Sequence, residues 1–142
     1  LTEATAEKDS KNPPFILLGG AQNDFLQEVK GLYEGRIKSA PVILTDNKTA
    51  ELAKLAMNAY FSTKVIFANQ LFDVCQGLGA NYERVKEVLE SNPFGPKNHF
   101  EIYFKGKRGV HGKCLPKDTE AFNHYTNMAL TQLVMEINKT LI

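Results

Sequence analysis

Apolar positions along the chain follow two rhythms. In the first third they come in short unbroken runs, Phe15-Ile16-Leu17-Leu18 and Pro41-Val42-Ile43-Leu44. The first run is closed by Gly19-Gly20 and preceded by the turn Asn12-Pro13-Pro14. Runs of this length between turn residues predict buried strands. Between them, Asn23 or Asp24 caps a helix from about Phe25 to Tyr33, with Phe25, Leu26, Val29 and Leu32 on one face and Gly35 ending it. A strand–helix–strand unit of this kind closes a doubly wound domain.

After Thr45-Asp46-Asn47-Lys48-Thr49 the rhythm becomes helical. Leu52, Leu55, Ala56, Ala59, Thr63, Ile66, Phe67, Leu71 and Val74 recur three or four residues apart, and no proline interrupts from 42 to 92. This predicts one long helix that stops near Gly77 or Gly79. Asn81 caps a shorter helix carrying Val85, Val88 and Leu89, which Ser91-Asn92-Pro93-Phe94-Gly95-Pro96 breaks. Residues 97–113 read as an irregular, basic, glycine-containing loop. Asp118 then caps a last helix whose buried side is Phe122, Tyr125, Met128, Ala129, Leu133, Ile137 and Leu141. The pattern is that of a mainly α chain: a short β-α-β piece over residues 1–45, then a helical domain over 46–142 built on one long helix.

Composition narrows the classes. With 142 residues and 43% hydrophobic side chains, the chain has enough for a packed core and does not read as disordered. Its 17 basic and 16 acidic residues leave a net charge of +1, which gives no basis for a nucleic-acid or membrane surface. No apolar run approaches the roughly 18 residues of a membrane span. The two cysteines, Cys75 and Cys114, read as reduced thiols of a cytoplasmic protein. Cys75 lies on an apolar helical stretch with Leu71, Val74 and Leu78, the setting of a buried thiol.

Cys114 has a different setting. In Gly109-Val110-His111-Gly112-Lys113-Cys114-Leu115-Pro116-Lys117-Asp118 it stands between two lysines, after glycines and before a helix. The thiolate is the nucleophile, and cations and a helix N-terminus favour it. Gly112 lets a ligand approach the backbone. The stretch reads as a site for covalent sulfur chemistry on an anionic substrate. Lys54 and Asn58, four apart, share a helix face. Such a pair usually lies in solvent, but it also has the donors to hold an oxygen that gains negative charge. Gly106-Lys107-Arg108-Gly109 is a basic loop whose Lys107 and Arg108 suit a pyrophosphate or carboxylate. His99, His111 and Cys114 match no closed zinc spacing, so no metal is expected.

Three segments carry a resemblance. Gly112-Lys113-Cys114-Leu115-Pro116-Lys117-Asp118 resembles the cysteine motif of the UDP-glucose/GDP-mannose dehydrogenases. Ala50-Glu51-Leu52-Ala53-Lys54-Leu55-Ala56-Met57-Asn58-Ala59-Tyr60, continuing to Lys64 and Phe67-Ala68-Asn69, resembles that family's central-helix motif. The start, Leu1-Thr2-Glu3-Ala4-Thr5-Ala6, with Asn12 to Gly20, is similar to the segment closing the family's cofactor domain. The three occur in the family's order over nearly the whole chain.

The resemblance implies residues 1–45 as the C-terminal part of an NAD-binding domain and 46–142 as the central helical domain, which pairs two subunits through its long helix. The chain is then a segment of a longer protein. It implies oxidation of a nucleotide sugar's primary alcohol to a carboxylate with two NAD, through a thiohemiacetal and a thioester on Cys114. Lys54 and Asn58 stabilise the oxyanions, Asp118 positions water, and Glu3 lies near the reacting sugar. Lys117 orients the substrate, with Lys107, Arg108 and Gly112 in the same site. The isolated segment is expected to be inactive. The chain departs from the family at His111, where a glycine is common. It departs again at Pro93-Phe94-Gly95, where relatives carry an arginine that reaches the partner's substrate. No Gly-x-Gly-x-x-Gly follows a strand, and Gly77-Leu78-Gly79 ends a helix, so the nicotinamide site lies outside this chain. Two other readings stand beside this one: a non-catalytic dimerisation scaffold, or an unrelated cysteine hydrolase with His111 as its base.

Overall fold

The structure is a computed structural model that describes residues 6–21 and 23–141. It is mainly α, and falls into two units, residues 1–54 and 55–142.

In the first unit a short helix α1 (Ala6–Lys11) precedes strand β1 (Ile16–Gly19). Helix α2 (Asp24–Arg36) then leads to strand β2 (Val42–Thr45), which pairs parallel to β1 from Ile16↔Val42 to Gly19↔Thr45. The predicted strand–helix–strand unit is therefore present. Asn23 caps α2 by accepting from the Leu26 amide at 3.1 Å. Gly35 does not end α2, which runs one residue further to Arg36. Only Leu26 of its expected apolar face is buried, and Phe25 and Leu32 are about 70% exposed, at 71% and 67%. A two-stranded sheet is too narrow to cover a wider stripe.

Helix α3 (Asn47–Leu78) is 32 residues long and starts in this unit. Asp46 caps it, accepting from the Thr49 amide at 2.9 Å and the Thr49 hydroxyl at 2.6 Å. These bonds hold the Asp46 carboxyl below its ordinary range. Gly19 brings the end of β1 against the first turn of α3: a Cβ there would stand 2.6 Å from that of Ala50. The helix ends as its glycines foretold. Gly79 adopts φ +67°, and the Ala80 amide returns to the Cys75 carbonyl at 2.8 Å.

The second unit packs around the rest of α3. Helix α4 (Tyr82–Ser91) is capped by Asn81, which accepts from the Arg84 amide at 3.2 Å. Tyr82, Cys75, Ala68, Phe100 and Ile102 form a buried cluster, so Cys75 is the structural thiol expected. Segment 97–113 is more ordered than its sequence implied. Strands β3 (Tyr103–Phe104) and β4 (Lys107–Arg108) form a hairpin, turned by Lys105 and Gly106 at positive φ. Two left-handed residues give the turn the twist a hairpin needs, and only the glycine advertises it.

The expected last helix is two. Helices α5 (Cys114–Thr126) and α6 (Ala129–Leu141) are separated by Asn127, left-handed at φ 50°. The break resets the helical phase. Thr131, Val134 and Asn138 become the buried residues of α6, with Val134 in a cluster with Ile66 and Val110, while Tyr125 and Leu133 face outward. Asp118 does not cap α5 either. The helix begins four residues earlier, and Asp118 lies inside it, 3% exposed. Pro116 falls in the first turn, where a missing N–H costs nothing.

Candidate active site

The site is built where the start of α5 meets α3. Cys114 is the first residue of α5 and is exposed. One turn on, along the same helix face, Asp118 is buried, 3% exposed. Its Oδ2 accepts from the Asn58 side-chain amide of α3 at 2.5 Å, and its Oδ1 pairs with the Lys117 ammonium at 2.9 Å. Asn58 and Asp118, sixty residues apart in sequence, are thus a direct pair. The bond to Asp118 and its charge, with a smaller contribution from Cys114, raise the Lys117 ammonium above the ordinary lysine value. The lysine's share of this pairing is complete below the ordinary lysine value and is lost as pH rises through the raised one.

A second contact between the same helices had no signal in the sequence. Thr119 and Ser62, both fully buried, meet through their hydroxyls at 2.8 Å. Thr119 gives its proton to the Leu115 carbonyl at 2.7 Å, so Ser62 is the donor between them. Beside this bond, Leu55, Ala59 and Phe122 pack as an apolar cluster. Small residues on α3 permit that approach, and the pair of hydroxyls fixes the register of α5 along it.

The other candidates divide. Lys54 is exposed on α3, in the first unit, one turn before Asn58. Lys107 and Gly112 are exposed, and Gly112 has φ +90°. Arg108 is turned inward. Its Nε donates to the Asn69 side-chain oxygen at 3.0 Å, and one terminal nitrogen reaches the Asn69 carbonyl at 3.1 Å and Asp73 at 2.8 Å. Its guanidinium also lies 5.2 Å from the Phe72 ring centre. In this arrangement Arg108 ties the hairpin to α3. Glu3 lies outside the described residues.

His111 turns its Nε2 to the Arg108 carbonyl, closing the turn that leads to Cys114. The hydrolase reading needs that nitrogen beside the thiol. His99 stacks on Phe61 at 4.4 Å, and burial, then Lys64, lowers its pKa. Phe94, in the Pro93-Phe94-Gly95 turn, is 98% exposed. Among the described residues no three ligating side chains converge as a metal site, and no helix is long and apolar enough to cross a membrane.

The N-terminus of α2 is closed by the Asn23 side chain and carries Asp24 in its first turn, so it offers no anion site.

Comparison with known proteins gives a single answer. The chain is 30% identical to UDP-glucose 6-dehydrogenase of Rhizobium meliloti (strain 1021), over 97% of its own length and 32% of that protein's. It is 32% identical to GDP-mannose 6-dehydrogenase of Pseudomonas putida, over 87% of this chain and 27% of that one. A UDP-glucose dehydrogenase of the hyperthermophilic archaeon Pyrobaculum islandicum superposes with a TM-score of 0.86 at 27% identity, covering 99% of this chain and 32% of that one. The chain spans about a third of the length of these relatives. Residues 48–140 match the central domain of the UDP-glucose/GDP-mannose dehydrogenase family, and the chain belongs to that family.

Proposed function

We propose that this chain is the thiol-bearing and dimerising segment of an NAD-dependent nucleotide-sugar 6-dehydrogenase that works in the cytoplasm. Residues 1–45 are the end of the NAD-binding domain and 46–142 the central domain. The observation that carries the reading is the 2.5 Å bond from Asn58 to Asp118. It joins an amide of the central-helix motif to the carboxylate of the cysteine motif, one turn from an exposed thiol.

The two hydride removals belong to a nicotinamide cofactor held by another part of the protein. This chain's residues act between and after them. The Cys114 sulfur adds to the aldehyde carbon, forming a C–S bond while the aldehyde oxygen takes up a proton. That bond keeps the aldehyde bound while cofactor is exchanged. In the last step water attacks the thioester carbonyl, the C–S bond breaks, the Cys114 thiol is restored and the carboxylate product leaves. Asp118 orients that water, and Asn58 and Lys54 supply donors to the oxygen on which charge develops. Lys117 and Lys107 attract the anionic substrate, which passes close to the protein backbone at Gly112.

The test is Cys114→Ser in the full-length protein, given nucleotide sugar and NAD. Release of the acid should fall by on the order of a thousand-fold or more, as when a nucleophile is removed elsewhere. Acid production at the parent rate would end the nucleophile role. Acid production by the parent without NAD would end the dehydrogenase reading.

A further inference from the structure

We infer that Asn138, on α6, is a positioning residue for Cys114, holding the Gly109–Val110 backbone from which the thiol-bearing turn is hung. This rests on the dehydrogenase reading for its consequence, but not for its geometry.

Asn138 is 3% exposed, and Val110 is 1% exposed. The Val110 amide donates to the Asn138 side-chain oxygen at 2.6 Å, and the Asn138 side-chain nitrogen donates to the Val110 carbonyl at 3.3 Å. One side-chain amide therefore satisfies both backbone groups of a buried residue, as a neighbouring strand would. Gly109 makes the approach possible. Its φ is +83°, and a Cβ there would stand 2.4 Å from the Asn138 oxygen. The Val110 side chain then packs with Ile66 and Val134.

Three residues separate Val110 from Cys114. The segment is also gripped upstream, where Arg108 binds Asn69 and Asp73 on α3. Past both grips, His111 bonds back to the Arg108 carbonyl and Gly112 takes a left-handed turn into α5. An apolar side chain at 138 would bury more simply, because a buried amide costs free energy unless its bonds are made. What asparagine adds is direction: it fixes the orientation of one peptide and so the path of the next three.

The test compares Asn138→Ala and Asn138→Asp in the full-length protein. Asn138→Ala should lower kcat about 10- to 100-fold, the scale of a misplaced reacting group. KM for nucleotide sugar and for NAD should stay within about twofold, since neither is bound by Asn138. Asn138→Asp keeps the acceptor for the Val110 amide and loses the donor to its carbonyl, so it should recover part of kcat. Equal kcat per folded molecule in both variants and the parent would overturn the inference.

Amide exchange provides the readout that does not need turnover. Residues 109–113 should exchange about tenfold faster in Asn138→Asp, and faster still in Asn138→Ala where that variant folds. Amides around Ala68 and Cys75 should be unchanged. If the parent oxidises no nucleotide sugar, the dehydrogenase reading fails and exchange alone decides: acceleration confined to 109–113 upholds the anchor, and its absence removes it.

Discussion

Single polar groups in this molecule are placed where burial makes them expensive to lose. Tyr82 is 4% exposed and donates to the Phe100 carbonyl at 2.8 Å. Burial first, then the charges of Glu83 and Glu101, push its phenol up to about 12. A phenol raised in the folded state contributes stability that is complete below its ordinary value of 10.0 and is lost as pH climbs from there to about 12. Tyr82→Phe should cost about 1–3 kcal/mol at neutral pH, because it leaves a buried carbonyl without a donor. It should also flatten the loss of stability between pH 10 and 12 relative to the parent. Denaturant midpoints at pH 7, 10.5 and 12 check both parts. An unchanged neutral midpoint would mean that water replaces the hydroxyl. Asp118 follows the same logic with a charge. Among the described residues every buried side-chain nitrogen and oxygen has a partner, and the Asp118 carboxylate is met by Asn58 and Lys117.

At the scale of elements, ends and breaks matter more than helix interiors. Asp46 and Asn81 cap α3 and α4 as their residue types foretell. The break between α5 and α6 is different, because the surrounding pattern runs through it without a gap. Asn127 is left-handed there, and its amide returns to the Asn123 carbonyl at 2.9 Å. Asn123 also donates to the Thr131 carbonyl at 3.1 Å and accepts from the Thr131 hydroxyl, locking the corner. The corner makes a clear prediction. Asn127→Ala improves intrinsic helix propensity yet should destabilise by about 1 kcal/mol, because alanine lacks the short polar side chain that lets asparagine tolerate left-handed backbone. Asn127→Gly should stay within about 0.5 kcal/mol of the parent. Urea unfolding of the two variants decides it, and the opposite order would mean that the chain prefers one continuous helix.

For the whole molecule, the open question is what covers α3. Tyr60, Phe67 and Val74, seven residues apart, are all more than half exposed, and Leu78 is 79% exposed. Together they make one apolar stripe along a long helix, and a stripe of that kind marks an interface. The protein is expected to sediment as a homodimer, the 142-residue chain at twice its mass of 15.9 kDa. Val74→Asp combined with Leu78→Asp should shift it to monomer without unfolding, because both side chains are more than half exposed. Analytical ultracentrifugation of parent and variant is the check. A monomeric parent at micromolar concentration would leave the stripe to another partner.

Periodicity and punctuation alone determined the helical class, the long α3 and its glycine terminus, the cap at Asn81, a cap for α2 at Asn23 or Asp24, and the small strand–helix–strand unit. These features are local: each depends on residues within a turn or two, so residue types suffice to specify them. The motifs around Lys54, Asn58 and Cys114 were equally legible, since spacing along one element survives folding. Tertiary structure decided the rest. It made Asp118 an interior partner of Asn58 instead of a cap, and turned Arg108 from solvent to Asn69 and Asp73. It also paired Ser62 with Thr119 and Asn138 with Val110. None of these contacts is local, and the sequence carries no mark of which distant partner a polar side chain will find. A buried polar group is satisfied by whatever the packing of helices brings within 3 Å, and that packing is set by many apolar contacts acting together.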